Sequence, residues 1–155
     1  MALTESSRDR RPDFPFLEIS FRLDEDELEI GRSTQGHVHL TNTGDIRIEF
    51  QSDQPIVASI LDPSTMERVG GYSGWIAGTG LMIRLDPCEA AAITVLVGTA
   101  TRTNDEVSVL PPGKYLVKVD VPLYELRPDE EGYERSYLHL PLADLSVTER
   151  RDPNI

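Results

Sequence analysis

The stretch PPGKYLVKVDV, residues 111–121, decides the fold class. After the Pro-Pro-Gly turn, the apolar residues Tyr115, Val117, Val119 and Val121 recur at every second position. Successive side chains of a β-strand point to opposite faces, so this spacing predicts a half-buried strand.

The same alternation recurs along the chain, and no segment of ten or more residues holds a helical period of about 3.6. We count about eight or nine short strands separated by turn residues, which is typical of an antiparallel, immunoglobulin-like β-sandwich with Greek-key connections. Strand spacing leaves an up-and-down barrel open as the alternative. The other clear strands are Leu17–Leu23, Val38–Leu40, Ile46–Phe50, Ile56–Leu61, Ala91–Gly98, Leu138–Leu142 and Leu145–Val147.

Four connections carry turn or loop chemistry. Asn42–Asp45 predicts a hairpin or a sharp corner between sheets. Asp62-Pro-Ser64 predicts a turn in which the Asp side chain bonds the backbone two residues on. Gly70–Gly80, with five glycines, and the polar segment Thr99–Glu106 predict loops.

Composition limits the classes of function. The chain has 155 residues, which predicts one domain, here residues 14–148 between flexible tails 1–13 and 149–155. Fifteen Lys and Arg against 27 Asp and Glu give a net charge of -12, which argues against nucleic-acid and membrane partners. The single cysteine excludes an internal disulfide. With no apolar leader or membrane-length segment, we expect a soluble, cytoplasmic protein.

Two stretches in order carry a family resemblance: HLTNTGDIRIEF, residues 39–50, and LPPGKYLVKV, residues 110–119, with Trp75 and Leu85-Asp-Pro-Cys-Glu89 between them. This order resembles the BsuPI-type domain, the intracellular proteinase inhibitor family of bacteria, over roughly residues 36–121. The resemblance implies an immunoglobulin-like sandwich and binding to a proteinase. The chain departs from the family at Cys88, where a Pro-Gly-Glu turn has glycine, and in having one Trp in the loop.

No catalytic constellation is visible in the sequence. Cys88 follows Pro87 in a turn and has no local His or cationic motif to lower its pKa. Gly71-Tyr-Ser-Gly74 lacks the spacing of a nucleophile elbow, and the glycine-rich loop lacks the Lys-Ser/Thr of a phosphate loop. We therefore expect a non-enzyme that needs no cofactor.

A partner-binding surface is predicted on two loops. Tyr and Trp are frequent interface anchors, although a Trp in a sandwich is more often a core residue, so Tyr72 is the better exposed candidate. The hypothesis is a cytoplasmic, non-catalytic protein-binding module, with a proteinase inhibitor acting on a serine protease as its narrower form. The predicted contact residues are Tyr72, Ser73, Trp75 and Ile76 on the first loop, and Asp105 and Glu106 on the second.

An alternative hypothesis is a structural or accessory subunit that packs in a larger assembly by its sheet edges. The sequence leaves the oligomeric state open. A self-associating chain would favour this alternative, and a monomer would favour the binding module.

Histidines offer the candidate metal ligands. His37 and His39 lie two apart and share one strand face, and His139 is also out of phase with its apolar neighbours. The three would form a zinc site if their two strands pair, and otherwise they are exposed neutral histidines.

Overall fold

The computed structural model describes residues 16–74, 76, 78–103, 106–126 and 133–149, which form strands and turns. Among them there is no helix long and apolar enough to cross a membrane. The fifteen strands are β1 Leu17–Leu23, β2 Glu27–Glu29, β3 Ser33–Asn42, β4 Ile48–Gln54, β5 Ile56–Val57, β6 Ser59–Leu61, β7 Arg68–Gly71, β8 Thr79–Leu85, β9 Ala90–Gly98, β10 Ala100–Thr103, β11 Glu106–Val109, β12 Gly113–Lys118, β13 Asp120–Leu126, β14 Tyr133–His139 and β15 Ala143–Thr148.

The strands form three hydrogen-bonded sheets. The first sheet has the order β1-β3-β9-β5, the second β11-β10-β7-β6-β12-β15-β2, and the third β14-β13-β4-β8. Paired strands such as β3 and β9, or β4 and β13, lie far apart in the chain. Connections therefore cross between layers, as in a Greek key, and the up-and-down barrel is wrong.

The first sheet packs against the other two. Strand β9 lies close to β4 and β8 of the third sheet and to β6 and β7 of the second. One apolar cluster collects fully buried side chains from all three sheets, among them Val38, Ile93, Val117 and Leu123. Burying each such side chain contributes about 1.5–3 kcal/mol. The predicted all-β, immunoglobulin-like sandwich is confirmed.

Two strand pairs in this otherwise antiparallel sandwich are parallel. Strand β5 runs parallel to β9, with Ile56 opposite Val95, and β2 runs parallel to β15, with Leu28 opposite Val147. Both parallel strands are short. Each is the last strand of its sheet, β5 in the first sheet and β2 in the second. The local pattern of apolar and polar residues that predicts a strand does not indicate its direction.

The alternation of residues 115–121 spans two strands in two different sheets. Strand β12 belongs to the second sheet and β13 to the third, and Val119 lies between them with its carbonyl accepting the N–H of Leu140 at 3.2 Å. Only the first two residues of the predicted strand 138–142 lie in a strand, because β14 of the third sheet ends at His139 and β15 of the second begins at Ala143. The two chain segments thus bend together from one sheet into the other.

Other segments also differ from prediction. Residues 56–61 form β5 in the first sheet and β6 in the second, with fully buried Ala58 between them. The polar segment Thr99–Glu106 contains β10 and the first residue of β11, which form a hairpin rather than a loop. The predicted tails, 1–13 and 149–155, lie outside the described residues apart from Glu149.

The connection after β3 is the predicted sheet corner rather than a hairpin, because β3 and β4 belong to different sheets. Asn42 is fully buried there, and its amide Nδ2 donates to the carbonyls of Ile46 at 2.8 Å and Leu85 at 2.9 Å. Its Oδ1 accepts the N–H of Gly44 at 3.0 Å. Ile46, predicted as a strand residue, is 75% exposed in this corner.

Asn42→Ala is expected to lower the free energy of unfolding by about 3 kcal/mol, because two carbonyls lose their donor and buried unsatisfied groups are costly. Urea denaturation followed by circular dichroism measures the change. The exposed Gln35→Ala substitution on the same strand is the control and should stay within about 0.5 kcal/mol of wild type. A loss below about 1 kcal/mol for Asn42→Ala would contradict this role.

The turn that faces this corner contains a strained residue. Cys88 is exposed, has φ of 70°, and donates its N–H to the carbonyl of Asn42 at 2.8 Å. A left-handed conformation is unfavourable for a residue with a Cβ by about 1–2 kcal/mol, and glycine adopts it freely.

Cys88→Gly is therefore expected to stabilise the protein by about 1 kcal/mol after the entropy of the glycine is subtracted. Cys88→Ala removes the thiol but keeps the Cβ, so it should give no gain. Thermal unfolding of the two variants under reducing conditions separates strain from thiol chemistry. Equal stability of Cys88→Gly and Cys88→Ala would disprove the assignment to strain.

Candidate functional site

The Tyr72–Gly74 segment, which follows β7, lies between two depressions of the surface. The larger, here called the cleft, has a volume of about 890 Å³ and is lined by Arg68–Gly74, Ala100, Thr101, Leu110 and Pro111. The smaller, the side groove, has about 340 Å³ and is lined by Gly31–Ser33, Tyr72–Gly74, Gly98–Ala100, Ser108 and Val109. Tyr72 is half-buried and Ser73 is exposed, so the segment forms a ridge shared by both depressions.

The cleft opens because two strands diverge. Strand β10 pairs with β7 at one position, Ala100 opposite Gly71, but with β11 at all four of its residues. On its other side β7 pairs with β6. The walls of the cleft are therefore the facing edges of β7 and β10, joined at Gly71 and separating from there.

Glycines permit the close approach at the base of the cleft. A Cβ atom placed on Gly70 would lie 2.5 Å from the carbonyl oxygen of Ala100. A Cβ atom on Gly98 would lie 2.6 Å from the Cα of Tyr72 and 2.9 Å from the carbonyl oxygen of Gly71. All three of these neighbouring atoms belong to the backbone and cannot turn aside as a side chain can. A larger residue at Gly70 or Gly98 would therefore separate β7 from β10 or β9.

The charge of the site contrasts with that of the chain. Among the described residues that line the cleft and the side groove, two are arginines, Arg68 and Arg32, and none is acidic. Arg32 pairs with Glu29 at 3.7 Å, whereas none of the described ion pairs involves Arg68. The Arg68 Nη2 lies 3.4 Å from the Cβ position of Gly71, at the base of the cleft. In a chain of net charge -12, this is a locally basic site.

The wall at Pro111 is fixed by Tyr115, whose hydroxyl donates to the Pro111 carbonyl at 2.6 Å. A Tyr that bonds back to the preceding corner is a feature of immunoglobulin-like sandwiches. Burial, and secondarily the negative charge of Asp62, raises the pKa of the Tyr115 hydroxyl. The hydroxyl therefore stays protonated and able to donate at neutral pH.

The turn between β6 and β7 has the predicted Asp chemistry. The Asp62 Oδ1 accepts the backbone N–H of Ser64 at 2.8 Å and its hydroxyl at 2.6 Å. These two hydrogen bonds hold the pKa of Asp62 below its usual value. The turn returns the chain into β7 and so positions Arg68.

The predicted contact residues differ in where they lie relative to the two depressions. Tyr72 and Ser73 line both depressions, and Ile76 is 39% exposed but lines neither. Trp75 and Asp105 lie outside the described residues. Glu106 was predicted in a loop, but it is the first residue of β11 and pairs with Thr103 of β10.

Two other residues of the polar segment 99–106, Ala100 and Thr101, line the cleft together with Tyr72. Sequence reasoning missed Arg68 and Leu110. The adjacent pair Gly70-Gly71 was the available signal, because consecutive glycines in a strand indicate close backbone approach.

The histidines do not meet. His37 and His39 have ring centroids 6.3 Å apart on β3, in the first sheet, whereas His139 is on β14, in the third. In the described sheets, strands β3 and β14 do not pair, so the condition for a zinc site formed by all three histidines is not met. His37 Nδ1 lies 3.2 Å from Asp24, and His139 Nδ1 lies 2.6 Å from Asp120. Within the described part of the chain, no group of three or more His, Cys, Asp or Glu is arranged to hold a metal ion.

Comparison with known proteins found no matching family model and no matching curated protein. Among solved structures, a β-glucosidase from Listeria innocua in complex with isofagomine is similar, with a TM-score of 0.46 and 16% identity. The match covers 84% of this chain and 16% of that chain, so the chain spans a small part of the glucosidase.

Two isolated domains are also similar. The CARDB domain of the PF1109 protein from Pyrococcus furiosus, in complex with di-metal ions, has a TM-score of 0.43 and 16% identity over 88% of this chain and 90% of that one. A PapD-like domain of human CEP192 has a TM-score of 0.37 and 11% identity over 92% and 90%. Likeness at these identities concerns the fold and does not extend to function.

Gly98→Ala is expected to lower the free energy of unfolding by about 2 kcal/mol, because the new methyl overlaps the Tyr72 backbone and overpacking costs about 1–3 kcal/mol. Gly80→Ala is the matched control, since a Cβ there meets nothing within 4 Å. Chemical denaturation of both variants measures the difference. If the two variants are equally stable, β7 and β9 are not packed as tightly as described.

Proposed function

We propose that this chain is a non-catalytic protein-binding module whose partner docks on the cleft and on the Tyr72–Gly74 segment. The observation that carries the proposal is that this segment lines both depressions. A partner that contacts the ridge therefore reaches two concave surfaces at once. Tyr72 supplies an aromatic anchor of the kind that contributes strongly to interfaces.

The strand pairing at Gly71 supports the same proposal. Gly71, the residue before the segment, is pinned between β6 and β10 by strand pairing, with Ser59 on one side and Ala100 on the other. A contact surface that is already ordered loses less conformational entropy on binding than a free loop does. The segment is thus an exposed ridge on a fixed base.

The proposal extends to the cellular compartment of the protein and to the class of its partner. We propose a cytoplasmic module, which the single cysteine in 155 residues supports, since secreted small domains commonly carry disulfides. The net charge of -12 favours a protein partner over nucleic acid or an anionic membrane. The narrower form, inhibition of a serine protease, is supported by the resemblance to the BsuPI-type family.

A structural subunit remains the second candidate because strand edges are open. Strands β1 and β8 are the outermost strands of the first and third sheets within the described pairings, and each has seven residues. Met82 on β8 is 43% exposed. Long edges of this kind can pair with another chain.

Ser73→Arg tests the binding surface, because it adds bulk and charge at the exposed residue between the two depressions. Ser20→Arg is the matched control on exposed β1, in the first sheet. Wild type and both variants are immobilised and the proteins retained from host lysate are quantified. We expect a stoichiometric partner that wild type and Ser20→Arg retain equally and that Ser73→Arg loses by at least about tenfold, or 1.4 kcal/mol.

Other outcomes divide the candidates. Equal retention by Ser73→Arg would disprove docking at this surface. Recovery of further copies of the chain alone, together with concentration-dependent sedimentation, would favour the structural subunit. A captured serine protease that is inhibited at a one-to-one ratio would support the narrower form, and a captured protease with unchanged activity would disprove it.

A further inference from the structure

We infer that the cleft receives an extended peptide segment of the partner, which pairs with the edge of β7 and places a carboxylate side chain on Arg68. This inference rests on the proposed function and specifies the chemistry of the partner. It follows from the strand pairing, from the charge of the lining and from the apolar contacts beside Arg68.

The pairing pattern leaves backbone edges facing the cleft. In the described pairings, β7 meets β10 at Gly71 alone, so Arg68, Val69 and Gly70 have no strand partner on the cleft side. On the other side, Arg68 pairs with Leu61 and Gly70 with Ile60, and Val69 lies at the register shift between them. The facing residues of β10, Thr101–Thr103, pair with β11 and likewise have no strand partner across the cleft. A short strand edge bordering a concave surface is the geometry used when proteins bind peptides by strand addition.

The charge of the lining selects a carboxylate. Arg68 is exposed at the cleft, takes part in none of the described ion pairs, and has no acidic residue beside it in the lining. A guanidinium binds a carboxylate through two parallel hydrogen bonds, a geometry that neutral or basic side chains cannot reproduce. A lysine brought into the cleft by the partner would instead be repelled.

The negative charges elsewhere on the chain oppose an acidic segment in the cleft only weakly. At physiological ionic strength, charges on the surface are screened beyond about 8 Å, whereas a contact with Arg68 is made at hydrogen-bonding distance. The contact therefore decides local preference, and the net charge of -12 disfavours acidic segments elsewhere on the surface. Attraction by Arg68 and repulsion by the rest of the acidic surface together favour the cleft as the place where an acidic segment binds.

Apolar lining defines the neighbours of the carboxylate. Val69 is half-buried, Leu110 is 3% exposed, and the Leu110 side chain lies 3.0 Å from the Cβ position of Gly70. Side chains of an added strand alternate between two faces, so a residue near the carboxylate can contact the exposed part of Val69, and Leu110 is a core residue behind that wall. The expected segment combines one Asp or Glu with β-branched apolar residues.

Three fluorescein-labelled heptapeptides test the inference, each with a central Glu, Gln or Lys between alternating Val and Thr residues. Fluorescence anisotropy with the full chain measures each Kd. We expect the Glu peptide to bind at least about tenfold more tightly than the Gln peptide, and the Lys peptide more weakly than both. The preference for Glu over Gln should shrink as sodium chloride is raised.

Charge exchange assigns the preference to Arg68. Arg68→Gln should abolish the preference for Glu, and Arg68→Glu should reverse it so that the Lys peptide binds best. Arg22→Glu, an exposed residue of β1, makes the same change in net charge away from the cleft and should leave the preference intact. An equal effect of Arg22→Glu and Arg68→Glu would overturn the inference in favour of a general charge effect.

The outcomes separate this inference from the proposed function. Equal binding of the Glu and Gln peptides, or no binding of any of the three, overturns the inference. Loss of the captured partner in Ser73→Arg would then still support docking at the ridge. If Ser73→Arg retains the partner while the Glu preference depends on Arg68, the carboxylate site at Arg68 stands and docking of that partner on the Tyr72–Gly74 segment fails.

Discussion

The buried amide of Asn42 is the interaction on which the arrangement of the layers depends. It lies where the chain leaves the first sheet, and it binds the corner at Ile46 and the end of β8 at Leu85 through one nitrogen. Its backbone is bonded on both sides as well, since its N–H donates to the Glu89 carbonyl and its carbonyl accepts from Cys88. A buried amide with all these partners is stable only when the three segments meet, so one residue fixes how the first and third sheets join.

A second constraint, the lack of side chains at Gly70 and Gly98, produces the site. These glycines let β7, β9 and the start of β10 approach at backbone distance, which brings Tyr72 against β9. Beyond Gly71 the strands separate, and their separation creates the cleft. The same close approach that packs β7 against β9 therefore leaves two strand edges facing the proposed binding cleft.

Charge is the proposed source of selectivity at this surface. An acidic chain repels most acidic ligands and attracts basic ones without specificity, because long-range attraction depends on net charge rather than on shape. A lining with two arginines and no described carboxylate inverts that preference at one place. Specificity of this kind combines attraction at the site with repulsion elsewhere. The proposed module would thus recognise an acidic segment of its partner at a basic cleft on an otherwise acidic surface.

The sequence by itself determined the features that depend only on residues adjacent in the chain, namely single strands and turns. The alternation of Leu17–Leu23 predicted β1 with its observed bounds, and Asp62 predicted its own turn, because the period of two and the Asp side-chain bond are local. Local composition also predicted Tyr72 and Ser73 as contact residues, and both line the two depressions. Only the tertiary structure decided that the 115–121 alternation divides at Val119, that the polar segment 99–106 forms a hairpin, and that Arg68 meets Tyr72 in one cleft. Each of these depends on which distant strand offers its backbone hydrogen bonds, and a local pattern of apolar and polar residues does not encode that choice.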